Sequence, residues 1–383
     1  MIIEVKGAGF DNYGAWLMLT SVTQRLEVLA PGATIALASR GAVTASRRRN
    51  LGALRKINLR IRWLDLNGLT SVIPKFIRHI FREWGFVLEC DVTAIIDIAG
   101  FGYSDQWGSD FAIRHAVAEV RRFAGSGRKY LFMPQAFGPF EATNTRKLIR
   151  AHLPKASLVA ARDPISYHHI REITDDFDAL KQFGDFTNSV VCSEAKVDRP
   201  STPYLVVVPN ANMLSSYNTN QAWLAGYQGL LEASISYATE LDLDVVLMQF
   251  GGDMDKRVIE NLSRQFPHVM TGVKVESDVE AKAMIEGASL VVSSRYHACV
   301  CALSAGIPCL GTSWSHKYET LFTEYEVSGL LMGPDTSLAD LQQMMRSLTA
   351  TDLDIRHRLI ERASVRKAET EELWRLVGQI LAS

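Results

Sequence analysis

Leu290-Val-Val-Ser-Ser-Arg-Tyr-His-Ala-Cys-Val-Cys-Ala-Leu-Ser-Ala-Gly-Ile-Pro-Cys-Leu-Gly-Thr312 contains, in one stretch, the unit from which the rest of the chain is built. A short apolar run ends in serines near Ser293. Around His297 the pattern becomes helical, Gly306 stands where a helix C-terminus favours a left-handed residue, and Pro308 blocks continuation. A second apolar run follows at residues 309–312. Strand, helix and strand in so few residues predict a parallel pair joined by a right-handed crossover.

The same alternation extends outward in both directions. Strands are expected at residues 1–6, 34–38, 57–63, 93–98, 130–133 and 158–161, then at 204–208, 245–250, 290–293 and 309–312, with helices between them and one or two more over 352–381. This is the α/β pattern of parallel sheets. With 383 residues the chain exceeds one usual domain. The polar, turn-rich residues 183–203 put the boundary near 195, giving two Rossmann-like domains, 1–195 and 196–383. Ligands in such folds bind beyond the carboxyl ends of the strands, so a crevice between the domains is expected to hold the site.

Apolar residues make up 47% of the chain and charged ones 22%, which excludes a disordered polypeptide. Basic and acidic side chains nearly cancel, 41 against 42, so a generally basic nucleic-acid binder is not expected. Five cysteines suit thiols in a reducing compartment. The opening Met-Ile-Ile-Glu-Val-Lys has charges where a secretory signal would be apolar. The uncharged residues 298–316 are broken by Gly306, Pro308 and Gly311. A cytoplasmic location is the expectation.

The chemistry gathers at strand ends. Arg295 and His297 lie between an apolar strand and a helix N-terminus, where free N–H groups and the helix dipole favour an anion. A guanidinium adds bidentate recognition of phosphate or carboxylate, and an imidazole exchanges protons near neutrality. The same two residues would serve equally as an arginine paired to a neighbouring acid and a histidine capping a turn. Lys317 stands at the next strand end, where it either completes a cationic pocket or is a solvated surface lysine. His297 with Cys299 and Cys301 has the residue types of a metal cluster, but the apolar helix around the cysteines argues for packing, and no metal is expected. In the N-terminal half, Gly7-Ala-Gly9-Phe-Asp-Asn12-Tyr-Gly14, Gly100-Phe-Gly102, Gln135-Ala-Phe-Gly138-Pro139 and Arg162-Asp163-Pro-Ile-Ser166 each follow a strand. The first is not G-x-G-x-x-G, so a dinucleotide site is not expected.

Taken in order, Asn12-x-Gly14-Ala, Gly100 with Gly102, Gln135-x-x-Gly138-Pro139, Arg162-Asp163-x-x-Ser166, Gly184-Asp185, Ser294-Arg295-x-His297 and Lys317 resemble the polysaccharide pyruvyl transferase family from Asn12 to about Tyr325. The resemblance implies a glycosyltransferase-B-like architecture and transfer of pyruvate from phosphoenolpyruvate, as a ketal, to a glycan or lipid-linked oligosaccharide. It implies His297 and Arg295 as catalytic residues, and Arg162, Arg295, Lys317 and Ser294 as donor-binding ones. Asn12, Gly14, Gly100, Gly102, Gln135 and Asp163 would form acceptor or cleft loops. Phosphoenolpyruvate would be a co-substrate, with no cofactor. Two positions depart from the family pattern: Tyr296 replaces an aliphatic residue, and Gln135-Ala-Phe-Gly138 replaces a Ser-Ile-Gly type of sequence. A glycosyltransferase using a nucleotide sugar, or a non-catalytic anion- or glycan-binding protein, would fit the same cations.

Residues 40–82 hold eleven Lys or Arg against one acid, Asp65. Within and just beyond them, Ile73, Phe76, Ile77, Ile80, Phe81 and Trp84 recur at helical spacing, interleaved with Lys75, Arg78, His79 and Arg82. This is either a core-facing helix or a basic amphipathic helix that contacts an anionic membrane.

Overall fold

The computed structural model describes residues 1–38, 45–61, 64–105, 111–193, 195–215, 218, 220–271, 275–313, 315–349 and 353–383. Arg40, Arg62 and Trp63 of the stretches above lie outside them. Two compact units account for the chain. The first comprises Met1–Asp11, Met18–Phe186 and Glu369–Ser383, and the second comprises Asn12–Leu17 and Thr187–Ala368. The main division thus falls between Phe186 and Thr187, short of the position expected near 195. The first turn of the first helix belongs with the second unit, and the end of the last helix belongs with the first.

The first unit is built on a parallel sheet of β1 (Ile2–Lys6), β2 (Thr34–Ala38), β3 (Leu54–Lys56), β6 (Phe86–Val87), β7 (Ala94–Asp97), β8 (Lys129–Gln135), β9 (Leu158–Ala161) and β10 (Leu180–Gln182), in the order 10-9-8-7-1-2-3-6. In place of the strand expected over 57–63 there are two short antiparallel strands, β4 (Arg60–Ile61) and β5 (Leu64–Asp65), and the sheet strand lies earlier, at β3. The reason is inside the sequence: Lys56 and Arg60 point into a buried ion network, so polar residues occupy places that the apolar pattern could not reveal. Lys56 Nζ pairs with Glu4 and lies 3.7 Å from Glu89 and 3.9 Å from Glu119. Lys6 Nζ lies 2.8 Å from Glu119 and 3.5 Å from Asp97, and donates to the Tyr130 hydroxyl at 2.9 Å. Tyr103 and Tyr130 in turn donate to Asp97 Oδ2 at 2.5 and 2.7 Å. An apolar cluster including Ile95, Val117, Phe132 and Ile149 packs beside it.

The second unit carries a six-stranded parallel sheet. Its strands are β11 (Tyr204–Val208), β12 (Asp244–Leu247), β13 (Met270–Thr271), β14 (Leu290–Ser293), β15 (Cys309–Thr312) and β16 (Leu331–Met332), in the order 13-12-11-14-15-16. β11 and β14 are buried at every position, as central parallel strands covered on both faces must be. The crossover from β14 to β15 is α10 (Tyr296–Ser304), whose nine residues are buried except His297. A helix this short is not stable alone and persists because its small apolar face is packed. Truncating Leu303, which is 0% exposed, to alanine would cost about 2–5 kcal/mol. Cys299 and Cys301 are buried in the same packing. The C-terminal residues form a single helix, Leu353–Ala382. Among the described residues, no helix is long and apolar enough to cross a membrane.

Candidate functional site

The floor of the candidate site is a knot of neutral hydrogen bonds where β11, β14 and β15 end. Ser294 follows β14 and is wholly buried. Its hydroxyl accepts from Tyr227 and from Thr312, both at 2.7 Å, and its carbonyl accepts from Asn210 at 2.9 Å and Tyr318 at 2.8 Å. Burial pushes the Tyr227 phenol up to about 12, so it stays a donor. Ser294 was expected to touch the donor substrate. Its burial and engaged hydroxyl make it an anchor for three strand ends instead.

Arg295 follows immediately and caps α10 with extended backbone. Its Nε and Nη2 donate to the two oxygens of Asp255, at 2.8 and 2.5 Å, in the bidentate geometry of a strong charge-assisted pair. Asp255 is buried in α8 (Asp253–Gln265) and also accepts from Ala211 N at 2.9 Å. The pairing with a neighbouring acid, one of the two sequence readings, is therefore present. It leaves Nη1 with no acceptor among the described residues, so the arginine is both fixed and available to an anion. Gly251, on the loop before α8, is a glycine for steric reasons: a Cβ there would overlap the guanidinium.

His297 occupies the first turn of α10. Its ring meets Tyr296 edge-on with centroids 5.3 Å apart, and Gly14 lies directly against it, so that a Cβ on Gly14 would collide with Nδ1. Gly14 is held in turn by Asn12, whose side chain accepts from Gly14 N at 2.8 Å, as a helix cap does at the start of α1 (Tyr13–Leu29). Tyr13 N donates to Phe250 O at 3.0 Å and the Tyr13 hydroxyl to Val275 O at 2.5 Å, which fastens this segment to the second unit. Lys317 opens α11 (Lys317–Glu324), and its ammonium lies 5.4 Å from the Tyr296 ring centre. Tyr296 therefore touches both His297 and Lys317. Asn12, Gly14, Arg295, His297 and Lys317 all belong to the second unit.

Beside them, at the ends of β15 and β16, is a cavity of ≈ 370 Å³ lined by Trp223, Ser315, His316, Glu319 and Leu331 among others. Arg295, His297 and Lys317 are not in its wall. The Glu319 carboxylate would repel a multiply charged anion but accepts readily from hydroxyls, so the cavity suits a neutral, hydroxyl-bearing group.

The remaining expected residues lie in the first unit. Gly100 has a left-handed backbone (φ +71) and with Gly102 turns the chain after β7, and its carbonyl accepts from Ala136 N at 2.8 Å. Gln135 is buried at the end of β8, with Nε2 3.4 Å from Asp97 O. Asp163, expected in a cleft loop, is 2% exposed and caps a helix: it accepts from Ser166 N and Oγ at 2.7 and 2.9 Å, starting α6 (Pro164–Arg171). Arg162, expected to bind the donor, is 3% exposed and lies 3.6 Å from Asp185. Asp255, Gly251, Tyr227 and Asn210 were not singled out by the sequence. Gly251-Gly252 preceding an acid-rich helix start was the signal available for the first two.

A sequence model of the family described as polysaccharide pyruvyl transferase matches residues 12–316. A search of curated protein sequences returns no match. Among solved structures, UDP-GlcNAc 2-epimerase from Neisseria meningitidis is similar with a TM-score of 0.60 at 10% identity, over 98% of this chain and 99% of that one. A putative UDP-N-acetylglucosamine 2-epimerase from Listeria monocytogenes gives 0.58 at 10% identity, over 97% and 94%. The UDP-forming trehalose-phosphate synthase of Burkholderia vietnamiensis gives 0.52 at 11% identity, over 100% and 98%. At these identities the likeness is one of fold, the glycosyltransferase-B type.

Proposed function

The chain belongs to the polysaccharide pyruvyl transferase family, and from that membership we propose that it moves pyruvate from phosphoenolpyruvate, as a ketal, onto a sugar of a surface polysaccharide or its lipid-linked precursor. The observation that carries this reading is the His297 imidazole seated against Gly14 and Tyr296, with Arg295 two residues away and Lys317 on the same tyrosine. Phosphoenolpyruvate carries about three negative charges on few atoms, which calls for fixed cations and directed N–H groups. Arg295 Nη1, the Lys317 ammonium and the N-terminal amides of α10 supply these.

In the proposed reaction His297 gives a proton to the methylene carbon, C3, as a sugar hydroxyl oxygen bonds to C2. The C2–O bond to phosphate then breaks, and phosphate leaves with the electron pair. A second sugar hydroxyl bonds to the resulting oxocarbenium carbon and closes the ketal. Of the two hydroxyl protons released, one restores His297 and the other leaves with phosphate. No step requires a cofactor.

The test is incubation with phosphoenolpyruvate and a panel of glycan acceptors, following phosphate release and the mass of the adduct. Phosphate release with a matching adduct supports the reading. Turnover with nucleotide sugars alone would move it to a glycosyltransferase of the same fold, and binding without release under every acceptor would move it to a non-catalytic binder.

A further inference from the structure

Independently of that reaction, we propose that residues 66–84 form a docking surface for an anionic lipid bilayer. The segment turns several polar groups inward and leaves large apolar ones outside, with Ile73, Ile77 and Phe81 half-buried between them. Asn67 is buried and hydrogen-bonds Leu59 N, Asn58 and Asp65 at 2.8–2.9 Å. Thr70 is buried against Cys90, and Arg78 turns inward to pair with Asp91. Outward stand Leu69 at 60% exposure, Val72 at 77%, Phe76 at 68%, Ile80 at 46% and Trp84 at 71%. No residue of the helix α3 (Lys75–Glu83) is buried. Ile77 and Phe81 are half-buried, so the helix rests on the first unit by one side and leaves an apolar stripe outside. Five large apolar side chains clustered on one short segment constitute an exposed patch of the kind that marks an interaction site.

Charge decides the occupant. Only part of the basic surplus of residues 40–82 is available, because Lys56, Arg60 and Arg78 are held in ion pairs. The flanking acids are held as well: Asp65 by Arg60 and Arg122, Glu89 by Arg122, and Asp91 by Arg78. Lys75 and Arg82 are exposed and have no ion-pair partner among the described residues, and Glu83 faces His79 at 3.8 Å. The face is thus apolar with a cationic border and an indole at its end, as interfacial helices are.

The full-length protein should co-sediment with vesicles of phosphatidylcholine and phosphatidylglycerol, much less with phosphatidylcholine alone, and progressively less as salt rises. The Lys75→Gln/Arg82→Gln protein should bind about 30-fold more weakly, at about 5-fold per cation. Phe76→Ser/Trp84→Ser should abolish binding without lowering the melting temperature, since these side chains face solvent. Wild-type protein that ignores both vesicles, or binds them equally, overturns the proposal. So does Phe76→Ser/Trp84→Ser protein that binds as wild type does, or a dimer that those substitutions dissolve in the absence of any lipid binding.

Discussion

β1 and β14 are both interior strands of a parallel sheet, yet the chemistry around them is opposite. Around β1, Glu4, Lys6, Lys56, Asp97 and Glu119 form a connected network of full charges out of water. Around β14, Ser294, Tyr227, Thr312, Asn210 and Tyr318 do the same work with neutral groups, and the ion pair Arg295–Asp255 stands at its edge with the arginine 17% exposed. Buried charges contribute to stability only while every partner remains, and removing one leaves the others uncompensated. Neutral hydrogen bonds hold a shape without fixing a field, which leaves the few charges of the second unit to act on a ligand. The first unit should therefore respond to pH, and the second to anions.

The largest effect should come from breaking the chemistry of the second unit alone. His297→Ala should lower turnover about 10²–10⁴-fold, measured as phosphate release at saturating phosphoenolpyruvate, with the melting temperature unchanged. Next is Lys56→Met, which strands Glu4 with Glu89 and Glu119 close by. It should cost about 3–5 kcal/mol in denaturant unfolding. Ser294→Ala makes the matching cut in the neutral knot and should cost less, about 1–3 kcal/mol, because it leaves two hydroxyl donors without an acceptor but no charge. A cost equal to that of Lys56→Met would erase the contrast.

The smallest effect is the pH response. Burial, and then the Arg60 guanidinium, lower His115 from its usual 6.5 to about 4 in the folded chain. The unfolded chain therefore takes up its proton first as pH falls, and stability drops between 6.5 and 4. Burial pushes the Glu119 carboxyl up, but Lys6, Lys56 and Arg60 more than offset it and hold it below the usual 4.5, so its contribution is lost at still lower pH. Glu4 is raised, chiefly by burial, and partly opposes that loss. Lys6 and Lys56 are weakened by burial but raised further by their carboxylates, so their contribution is complete below 10.5 and declines above it. His115→Gln should flatten the upper part of the acid limb by less than about 1 kcal/mol, since the side chain is largely screened.

The contrast also explains what could be read from the sequence. β11, β14 and β15 are apolar runs bounded by turn residues, and their ends were legible. β3, β6, β10, β13 and β16 have two or three residues each, too few for any period to show. β3 also ends in Lys56, whose burial depends on acids distant in sequence. Arg295 and His297 were legible as a strand end beside a helix start. Their setting was not, because Asp255 is 40 residues upstream and Gly14 lies far earlier in the chain, brought in by a turn of α1 that joins the second unit. Asp163 and Ser166 illustrate the reverse problem, since a capping pair presents the same residue types as a polar site.

The proposed function requires that the strand ends of the second unit bind phosphoenolpyruvate through Arg295 Nη1, the nitrogen not engaged by Asp255. Calorimetric titration of phosphoenolpyruvate into wild-type and Arg295→Lys protein tests it most directly, because lysine keeps a cation beside Asp255 while removing the planar fork. The expected result is saturable binding by wild type and affinity lowered about ten- to a hundredfold in Arg295→Lys. Equal affinity in the two proteins, or no binding by wild type, would contradict the account.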